Sequence, residues 1–526
     1  MELCDQYVHE LIQLVPEVND YHQLPEYLNL RSKWTNTLTM DFHKKEMILL
    51  RKYKGILNKK KVKSFYDNIF LDDLTIMMKE RSYETLDYVP INSMDNFPID
   101  YISGVQGEST YTFSDKQSYL DYIERFKGIP SITMSIIENM RKGIQHKDTL
   151  PSLIALDLRD QYNHALGSNY ETLRVPTNVQ KAVTLSIQTY VIPAIQQLQN
   201  FLEREYICAC SDQIGLSALS GGSIIYQGLL EEQTMKGYTP IDIHKLGKRE
   251  VKRIIGLIHK MKRSMKFKGS LKEFYEYTTT AFASKEDVIH HSNILQEKIY
   301  DTVYPTYFVR NLLKKDIADI KSISDKQSKL FAFYMPHKTS GTYYMNANNF
   351  KLMNKNELLT LTLHETIPGH HLQLMTHNQS KELPLYSKSS ASSGYTEGWA
   401  LYCENFVDLH TDKEMVWKYV YELQRAIRLV VDTGIHAFNW SYDKAFAYMK
   451  QYGYQSDELI RNELIRYICI PSQALSYKVG ELTILFLRDR YLEKFPGNIK
   501  EFHTLLFEIG PCPLDSLVKE FIKKNI

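Results

Sequence analysis

The chain has 526 residues, which is long enough to bury a large hydrophobic core and to form two or three domains. Its 64 basic and 62 acidic residues nearly cancel, so the net charge at pH 7 is +2. A balanced charge gives no general attraction to nucleic acid or to an anionic membrane surface. No apolar run approaches the ~20 residues of a transmembrane helix. We therefore predict neither nucleic acid nor a membrane as a partner.

The cysteines and the N-terminal residues predict a reducing compartment. The six cysteines are scattered along the chain and do not have the density of a disulfide framework. Residues 1–7 include acidic side chains and no apolar stretch, which is not the pattern of a secretory signal. We therefore expect the protein to be cytoplasmic.

The first half of the chain predicts helices. Residues 1–95 have helical stripes of mixed polarity, and no motif in them indicates chemistry. Residues 178–204 carry the clearest amphipathic pattern, with apolar residues three and four positions apart. Pro193 lies inside this pattern and should kink the helix. Because no repeat or low-complexity linker divides the chain, we predict one large, mainly α-helical body.

The best strand candidate is residues 331–350. Pro336 and Gly341 mark a turn, and residues 343–346 are rich in side chains that favour strands. The apolar residues 358–367 then predict a buried helix. We therefore expect a small β-sheet beside that helix.

A metal-binding pattern ends the predicted helix, where the chain reads His364-Glu365-Thr366-Ile367-Pro368-Gly369-His370-His371. In zinc hydrolases, histidines bind the metal and a neighbouring glutamate handles protons. Two nitrogen ligands of a tetrahedral zinc lie ~3.4 Å apart. An unbroken helix would place His370 ~9 Å along the axis from His364 and on the far side. A shared metal therefore requires that the helix be interrupted.

Pro368 and Gly369 supply the interruption. Proline lacks the backbone N–H, and its ring clashes with the carbonyl four residues earlier. Glycine adopts backbone angles that other residues avoid. We expect these two residues to insert a bulge that brings His370 back toward His364, with His371 as the alternative second ligand. The other interpretation is a helix that ends before the proline and is followed by surface histidines.

A carboxylate from a later helix is the expected third ligand. Thr396 is a candidate N-cap, which would place Glu397 in the first turn of a helix. An acidic residue at that position could instead stabilise the helix dipole. Glu404 lies seven residues later and thus on the same helix face, where it could hydrogen-bond a metal ligand from behind.

Two segments together form a specific combination, namely His364–His371 and Tyr395–Tyr402. They read His-Glu-x-x-Pro-Gly-His-His and Tyr-x-Glu-Gly-Trp-Ala-Leu-Tyr, and they resemble the DUF885 family, which is grouped with the gluzincin-type zinc metallopeptidases. Further blocks at residues 226–244, 425–436 and 466–480 are similar to the family. The resemblance implies a gluzincin-like fold.

The resemblance also implies an arrangement of domains and one zinc ion per chain. Residues 96–526 would be the catalytic domain, and residues 1–95 a variable helical region packed on it. His364, His370 and Glu397 would bind the zinc. His370 is preferred to His371 because the Gly-His order is similar to that of related gluzincins.

The remaining site residues are also implied by related zinc peptidases. Glu365 would be the general base, and Tyr477 or His436 would stabilise the tetrahedral intermediate, although each could equally be a buried residue with a structural hydrogen bond. An edge strand near the zinc would hold the peptide by backbone pairing, which makes Tyr344 a candidate contact. The turn at residues 337–346 departs from the family because it lacks an Arg-Pro pair.

Two arginines complete the predicted site. Arg428 and Arg466 could bind a substrate carboxylate through paired hydrogen bonds, or could form structural ion pairs with Asp432 or Glu404. The sequence thus predicts a zinc-dependent peptidase that acts on a peptide or a small amide. The alternatives are a zinc hydrolase of non-peptide amides or esters, and a metal-free scaffold or binding protein that keeps the fold. The oligomeric state is not predicted.

Overall fold

The structure is a computed structural model that describes residues 2–170, 173–309, 317–323, 331–337, 340–389 and 392–524. The fold is mainly α-helical with a small three-stranded sheet, which confirms the predicted class. The helices up to residue 233 are α1 Leu3–Leu14, α2 Asn19–His22, α3 Met40–Lys59, α4 Phe65–Glu80, α5 Glu84–Asp87, α6 Asp100–Gly104, α7 Lys116–Glu124, α8 Ile129–His146, α9 Ser152–Leu166, α10 Thr177–Ser186, α11 Ile192–Phe201 and α12 Gly222–Gln233.

The later helices are α13 Pro240–Ser264, α14 Leu271–Thr278, α15 Lys285–Tyr307, α16 Lys355–Glu365, α17 His370–Gln379, α18 Leu385–Ser389, α19 Ser393–Cys403, α20 Asp412–Phe438, α21 Tyr442–Lys450, α22 Asp457–Cys469, α23 Gln473–Lys494, α24 Ile499–Ile509 and α25 Leu514–Lys523. The strands are β1 Asp319–Ser322, β2 Ala332–Pro336 and β3 Gly341–Met345.

The chain folds into two compact units. The first comprises Met1–Ile225 with Pro384–Ser389, and the second comprises Tyr226–Leu383 with Ser390–Ile526. Residues 1–95 lie in the first unit, which continues well beyond them. A separate N-terminal region that ends at residue 95 stays a prediction.

An aromatic core occupies the N-terminal part of the first unit. Tyr7 of α1, Tyr53 of α3 and Phe70 of α4 pack on one another, with ring centroids between 5.1 and 6.0 Å apart. The ring of Tyr386 lies 4.7 Å from that of Phe70. This contact explains why Pro384–Ser389, far along the chain, belongs to the first unit.

The amphipathic segment 178–204 forms α10 and α11, joined by a π-helical turn at Ile187–Val191. Pro193 follows this turn and has no N–H to donate to the carbonyl four residues earlier. In the wider π turn the N–H of Ile192 bonds to the carbonyl of Ile187. Helices commonly bend at such turns, and the kink at Pro193 stays a prediction.

Two pairs of long helices frame the second unit: α13 packs along α20, and α19 packs along α23. The second pair approaches closely at two glycines, because a Cβ on Gly398 would lie only 2.5 Å from the Cα of Gly480. This close approach fixes α19, which carries Glu397, against α23, which carries Tyr477.

The sheet has the order β1-β3-β2, with β3 parallel to β1 and antiparallel to β2. Strands β2 and β3 form an antiparallel pair within residues 331–350, the segment predicted to hold a strand and a turn. Tyr344, however, pairs with Lys321 on one side and with Phe333 on the other. The prediction that its strand lies at an edge is therefore wrong, since a strand paired on both sides cannot also pair with a peptide. Its ring stacks on Phe333 at 5.0 Å, and a role in substrate contact stays a prediction.

Candidate metal centre

The predicted interruption is a complete break between two helices. Helix α16 ends at Glu365 and α17 begins at His370, so the chain turns instead of forming a bulge within one helix. A Cβ on Gly369 would lie 1.8 Å from the carbonyl oxygen of His364, and only glycine fits so close to the preceding turn. The interpretation with surface histidines is wrong, because both His370 and His371 are buried.

The break brings three candidate ligands together. The Nε2 atoms of His364 and His370 lie 3.6 and 3.4 Å from Oε2 of Glu397, and one ligand atom from each of the three residues lies within 4.8 Å of the other two. The edge of a zinc tetrahedron is about 3.4 Å. Oε2 of Glu397 is buried and has no hydrogen-bond partner among the described residues. We call these three residues the metal group, because their spacing fits a bound zinc ion.

Glu397 does not lie where a helix dipole would explain it. Helix α19 begins at Ser393, with Ser392 as its N-cap, so the prediction that Thr396 caps the helix is wrong. Glu397 consequently lies in the second turn, whereas the helix dipole acts mainly within the first. With its side chain 19% exposed, Glu397 is the most accessible member of the metal group.

Glu404 lies behind the metal group. Its Oε1 is 2.9 Å from Nδ1 of His364 and 3.3 Å from Nη2 of Arg425. A carboxylate on Nδ1 of a histidine fixes the ring so that Nε2 faces the metal. Glu404 therefore aims His364 at Glu397, and Arg425 supplies the buried carboxylate with a cation.

His371, the alternative ligand, points elsewhere. Its Nδ1 lies 2.9 Å from the hydroxyl of Tyr334 on β2, and the two rings meet edge to face. Of the two neighbouring histidines, His370 joins the metal group, and His371 ties α17 to the sheet.

The charges of the metal group act strongly on one another. Burial lowers the pKa of His364, but Glu397 and Glu404 outweigh it and raise that pKa to about 9. Burial also works against ionisation of Glu397, yet the two histidines hold its pKa well below the usual range. A bound divalent cation would replace these protons, because only neutral imidazole binds a metal.

Glu365 and Tyr343 adjoin the metal group. Oε2 of Glu365 is buried and has no hydrogen-bond partner within the described part of the chain, and burial raises the pKa of this carboxyl, opposed by His364 and His370. The buried hydroxyl of Tyr343 on β3 also lacks a partner there, and the charge of Glu365 adds to burial in raising its pKa. Sequence reasoning missed Tyr343, which is only one of several residues in the segment that favour strands.

Of the two proposed oxyanion donors, Tyr477 lies at the metal group. Its ring stacks on that of His364 at a centroid distance of 6.4 Å. Burial and the charge of Glu397 raise its pKa to about 12, so the hydroxyl keeps its proton. His436 instead places Nε2 2.9 Å from the backbone oxygen of Tyr467, and its ring packs on Tyr226. These contacts are those of a structural histidine, and a catalytic role for it stays a prediction.

Both predicted arginines pair with a carboxylate that sequence reasoning missed. Oε2 of Glu463 lies 3.0 Å from Nη2 of Arg428 and 3.2 Å from Nη2 of Arg466. The expected partners are wrong, because Asp432 accepts hydrogen bonds from Tyr226 and Ser472, and Glu404 pairs with Arg425. Glu463 lies three residues before Arg466 on one helix face, which is the signal that could have found it.

Arg428 nevertheless keeps a link to the metal group. Its guanidinium carbon lies 4.7 Å from the ring centroid of Tyr477. Its Nη1 is buried and makes no hydrogen bond to a described residue. Substrate binding by Arg428 and Arg466 stays a prediction.

The chain is similar to two solved structures, each matched over 99% of both chains. One is described as a "putative lipoprotein" from Colwellia psychrerythraea, with a TM-score of 0.84 and 20% identity. The other is a "putative lipoprotein of unknown function" from Shewanella oneidensis, with a TM-score of 0.68 and 14% identity. At these identities the likeness shows the fold alone.

No curated protein matches the sequence. Within the described ranges, every helix is too short or too polar to span a membrane. Residues 31–521 match the family described as "Bacterial protein of unknown function (DUF885)", and the match begins in the N-terminal region, ahead of the blocks that carry the resemblance. The chain therefore belongs to the DUF885 family.

Proposed function

We propose that the protein is a zinc-dependent hydrolase that cleaves peptide bonds. The observation that carries the proposal is the metal group, whose three ligand atoms face one another beside the buried carboxylate of Glu365. The choice of zinc follows from two histidines and one glutamate, a donor set of catalytic zinc sites. The choice of peptide bonds is supported by the gluzincin-like segments His364–His371 and Tyr395–Tyr402.

Each residue has a definite task in this proposal. His364, His370 and Glu397 would hold the zinc, which supplies a Lewis acid and lowers the pKa of water. Glu365 accepts a proton from the attacking water at its unpartnered Oε2 and donates it to the leaving amine. Tyr477, which keeps its proton at neutral pH, donates a hydrogen bond to the developing oxyanion.

The first test is the zinc content of the purified full chain, measured by mass spectrometry after incubation with zinc and desalting. We expect one zinc per chain in the wild type and none in His364→Ala. His290→Ala, which changes an exposed histidine on α15, is the matched control and should keep the metal. A wild-type chain that retains no zinc would contradict the proposal and favour a metal-free scaffold.

The second test separates peptide bonds from other substrates. The zinc-loaded chain is incubated with a peptide library and, in parallel, with acylated amines and esters. We expect cleavage of peptides that disappears in Glu365→Gln. If only the non-peptide compounds were turned over, the protein would still be a hydrolase, but its substrate would not be a peptide. Cytoplasmic location and the lack of nucleic-acid and membrane partners stay predictions from composition.

A further inference from the structure

A cavity of about 720 Å³ lies in the second unit, between α13, α20 and the following helix α21. No residue of the metal group lines it. The lining contains three lysines, Lys245, Lys248 and Lys444, and no carboxylate. The proposed hydrolase does not use this cavity.

We propose that this cavity binds an organic anion, in the form of a carboxylate or phosphate group carried on an apolar body. All three lysines are exposed at its rim, and none makes an ion pair within 4.0 Å to a residue in the described ranges. Arg253, further along α13, pairs with Glu250 at 2.8 Å. Lys245 does lower the pKa of the nearby Asp242 carboxyl. The three lysines nevertheless have no carboxylate within ion-pair distance among the described residues, whereas Arg253 on the same helix has one.

The lining also offers exposed apolar surface. Phe438 is 39% exposed and Ile241 is 50% exposed, although both are large apolar residues. The ammonium of Lys444 lies 4.6 Å from the ring centroid of Trp440. Apolar surface under a rim of cations matches a ligand with an apolar body and an anionic end.

The floor of the cavity is preformed. His244 packs edge to face against Phe438 and Trp440, and its Nδ1 lies 2.8 Å from the hydroxyl of Thr433. The backbone N–H of Trp440 donates to the carbonyl of Gly434 at 2.9 Å. The His244 ring on α13, the Phe438 ring at the end of α20 and the Trp440 ring just after it pack on one another. Binding therefore need not order them first, which favours affinity.

Only the lysines carry charge in this lining at neutral pH. Burial, together with Lys248 and Lys444, lowers the pKa of His244 to about 4, so its ring is neutral. The attraction for an anion should therefore persist across the neutral range. The volume lies within the 300–1,000 Å³ typical of small-molecule sites, which favours a small molecule over a protein segment.

The test uses the purified full chain, whether or not it retains zinc, and a pair of probes with the same apolar body, the anion 2-naphthoate and the neutral 2-naphthamide. Isothermal titration calorimetry should show one 2-naphthoate per chain, with 2-naphthamide at least about tenfold weaker. The double variant Lys248→Gln/Lys444→Gln should raise the Kd of 2-naphthoate about tenfold, and added salt should weaken binding. Lys252→Gln, on the same helix outside the cavity, should change nothing.

Four outcomes would overturn the proposal. In the first, 2-naphthoate does not bind, and in the second, the two probes bind equally well. In the third, the wild type and the double variant bind 2-naphthoate with equal affinity. In the fourth, His364→Ala loses binding while the double variant keeps it. The last outcome would place the carboxylate on the zinc.

Vesicles with anionic lipid are a separate experiment. If only the vesicles bind, and only when Lys248 and Lys444 are intact, the occupant is a membrane surface, and the proposal of a small-molecule ligand is overturned. Because exposed lysines are changed, the variants should fold, and a failure of the proposed hydrolase would leave this test intact.

Discussion

Two clusters of buried charge in the second unit differ in how completely their atoms are paired. In the Lys478 cluster, the ammonium of Lys478 lies 2.8 Å from Glu422 and 2.6 Å from Glu481, and Lys418 lies 2.8 Å from Glu422. Asn405 bridges Lys418 and Glu481. Among the residues that the structure describes, no buried nitrogen or oxygen of this cluster lacks a partner.

The metal group and its neighbours are less completely hydrogen-bonded. In that region Oε2 of Glu397, Oε2 of Glu365 and Nδ1 of His370 are buried without a hydrogen-bond partner in the described chain. Leaving buried polar atoms unpaired costs about 1–3 kcal/mol each. Oε2 of Glu397 keeps only the longer ion-pair distances of 3.6 and 3.4 Å to the two histidines. Unlike the Lys478 cluster, the metal group and Glu365 thus have buried atoms that a further ligand could pair. We therefore expect the Lys478 cluster to contribute to stability and the metal group to contribute to binding.

The largest effect should come from Glu365→Gln. The amide keeps the size of the side chain but cannot accept the proton, so kcat/KM for a cleaved peptide should fall by about 10²–10⁴. The zinc content should stay at the wild-type level, because Glu365 is not a member of the metal group. Unchanged turnover would show that the unpaired carboxylate has no part in the reaction.

A substitution in the Lys478 cluster should lower the stability of the fold and not act on the reaction. Lys478→Met leaves the carboxylates of Glu422 and Glu481 buried beside fewer cations, which should destabilise the second unit by about 3–5 kcal/mol. Urea denaturation measures the change. Lys519→Met is the control, because that lysine is 71% exposed in its pair with Asp515 and should cost less than about 1 kcal/mol. Equal effects of the two variants would refute the distinction.

Glu404→Gln tests whether Glu404 supports metal binding or only the stability of the fold. The amide orients His364 less strongly, so zinc affinity should fall about 10–100-fold. Competition with a coloured chelator measures this, and the exposed Glu382→Gln should keep the wild-type affinity. If Glu404→Gln lowered the stability of the fold and left the zinc affinity unchanged, the role of Glu404 would be structural.

Asp432 extends the comparison to a buried carboxyl that is hydrogen-bonded but makes no ion pair with a described residue. Burial raises its pKa to about 7, although Tyr226 and Ser472 donate to it. The unfolded chain loses this proton near pH 3.9, so the folded state binds more protons between these values. Its stabilising contribution is complete below about pH 4 and is lost as the pH rises toward 7.

Asp432→Asn replaces the titratable carboxyl with an amide. The free energy of unfolding of the variant should therefore decline less as the pH rises. Between pH 5 and 7 the wild type should lose up to about 1.4 kcal/mol more than the variant for each pH unit. Thermal unfolding at several pH values measures the difference. Parallel curves for the two proteins would show that Asp432 is already ionised in this range.

The contacts that sequence reasoning missed are those between distant segments. Glu463 of α22 pairs with Arg428 of α20, 35 residues away, and only its pair with Arg466 is local. Strand β1 pairs with β3 across about twenty residues of chain. The charge of Glu365 acts on the hydroxyl of Tyr343 although the two residues lie in different elements. No local pattern states which of several carboxylates or strands will be the partner, since hydrophobic burial chooses among them for the whole unit.

The sequence alone predicts the helical class, the strand segment with its turn at residues 331–350 and the residues that meet in the metal group. These follow from short-range chemistry: the period of apolar residues, the missing N–H of Pro368 and the missing Cβ of Gly369. The tertiary structure alone decided that the helix breaks completely, that His370 and not His371 faces Glu397, and that Glu404 stands behind His364. The physical reason is that a ring orientation depends on a partner forty residues away, which only packing brings within hydrogen-bond distance.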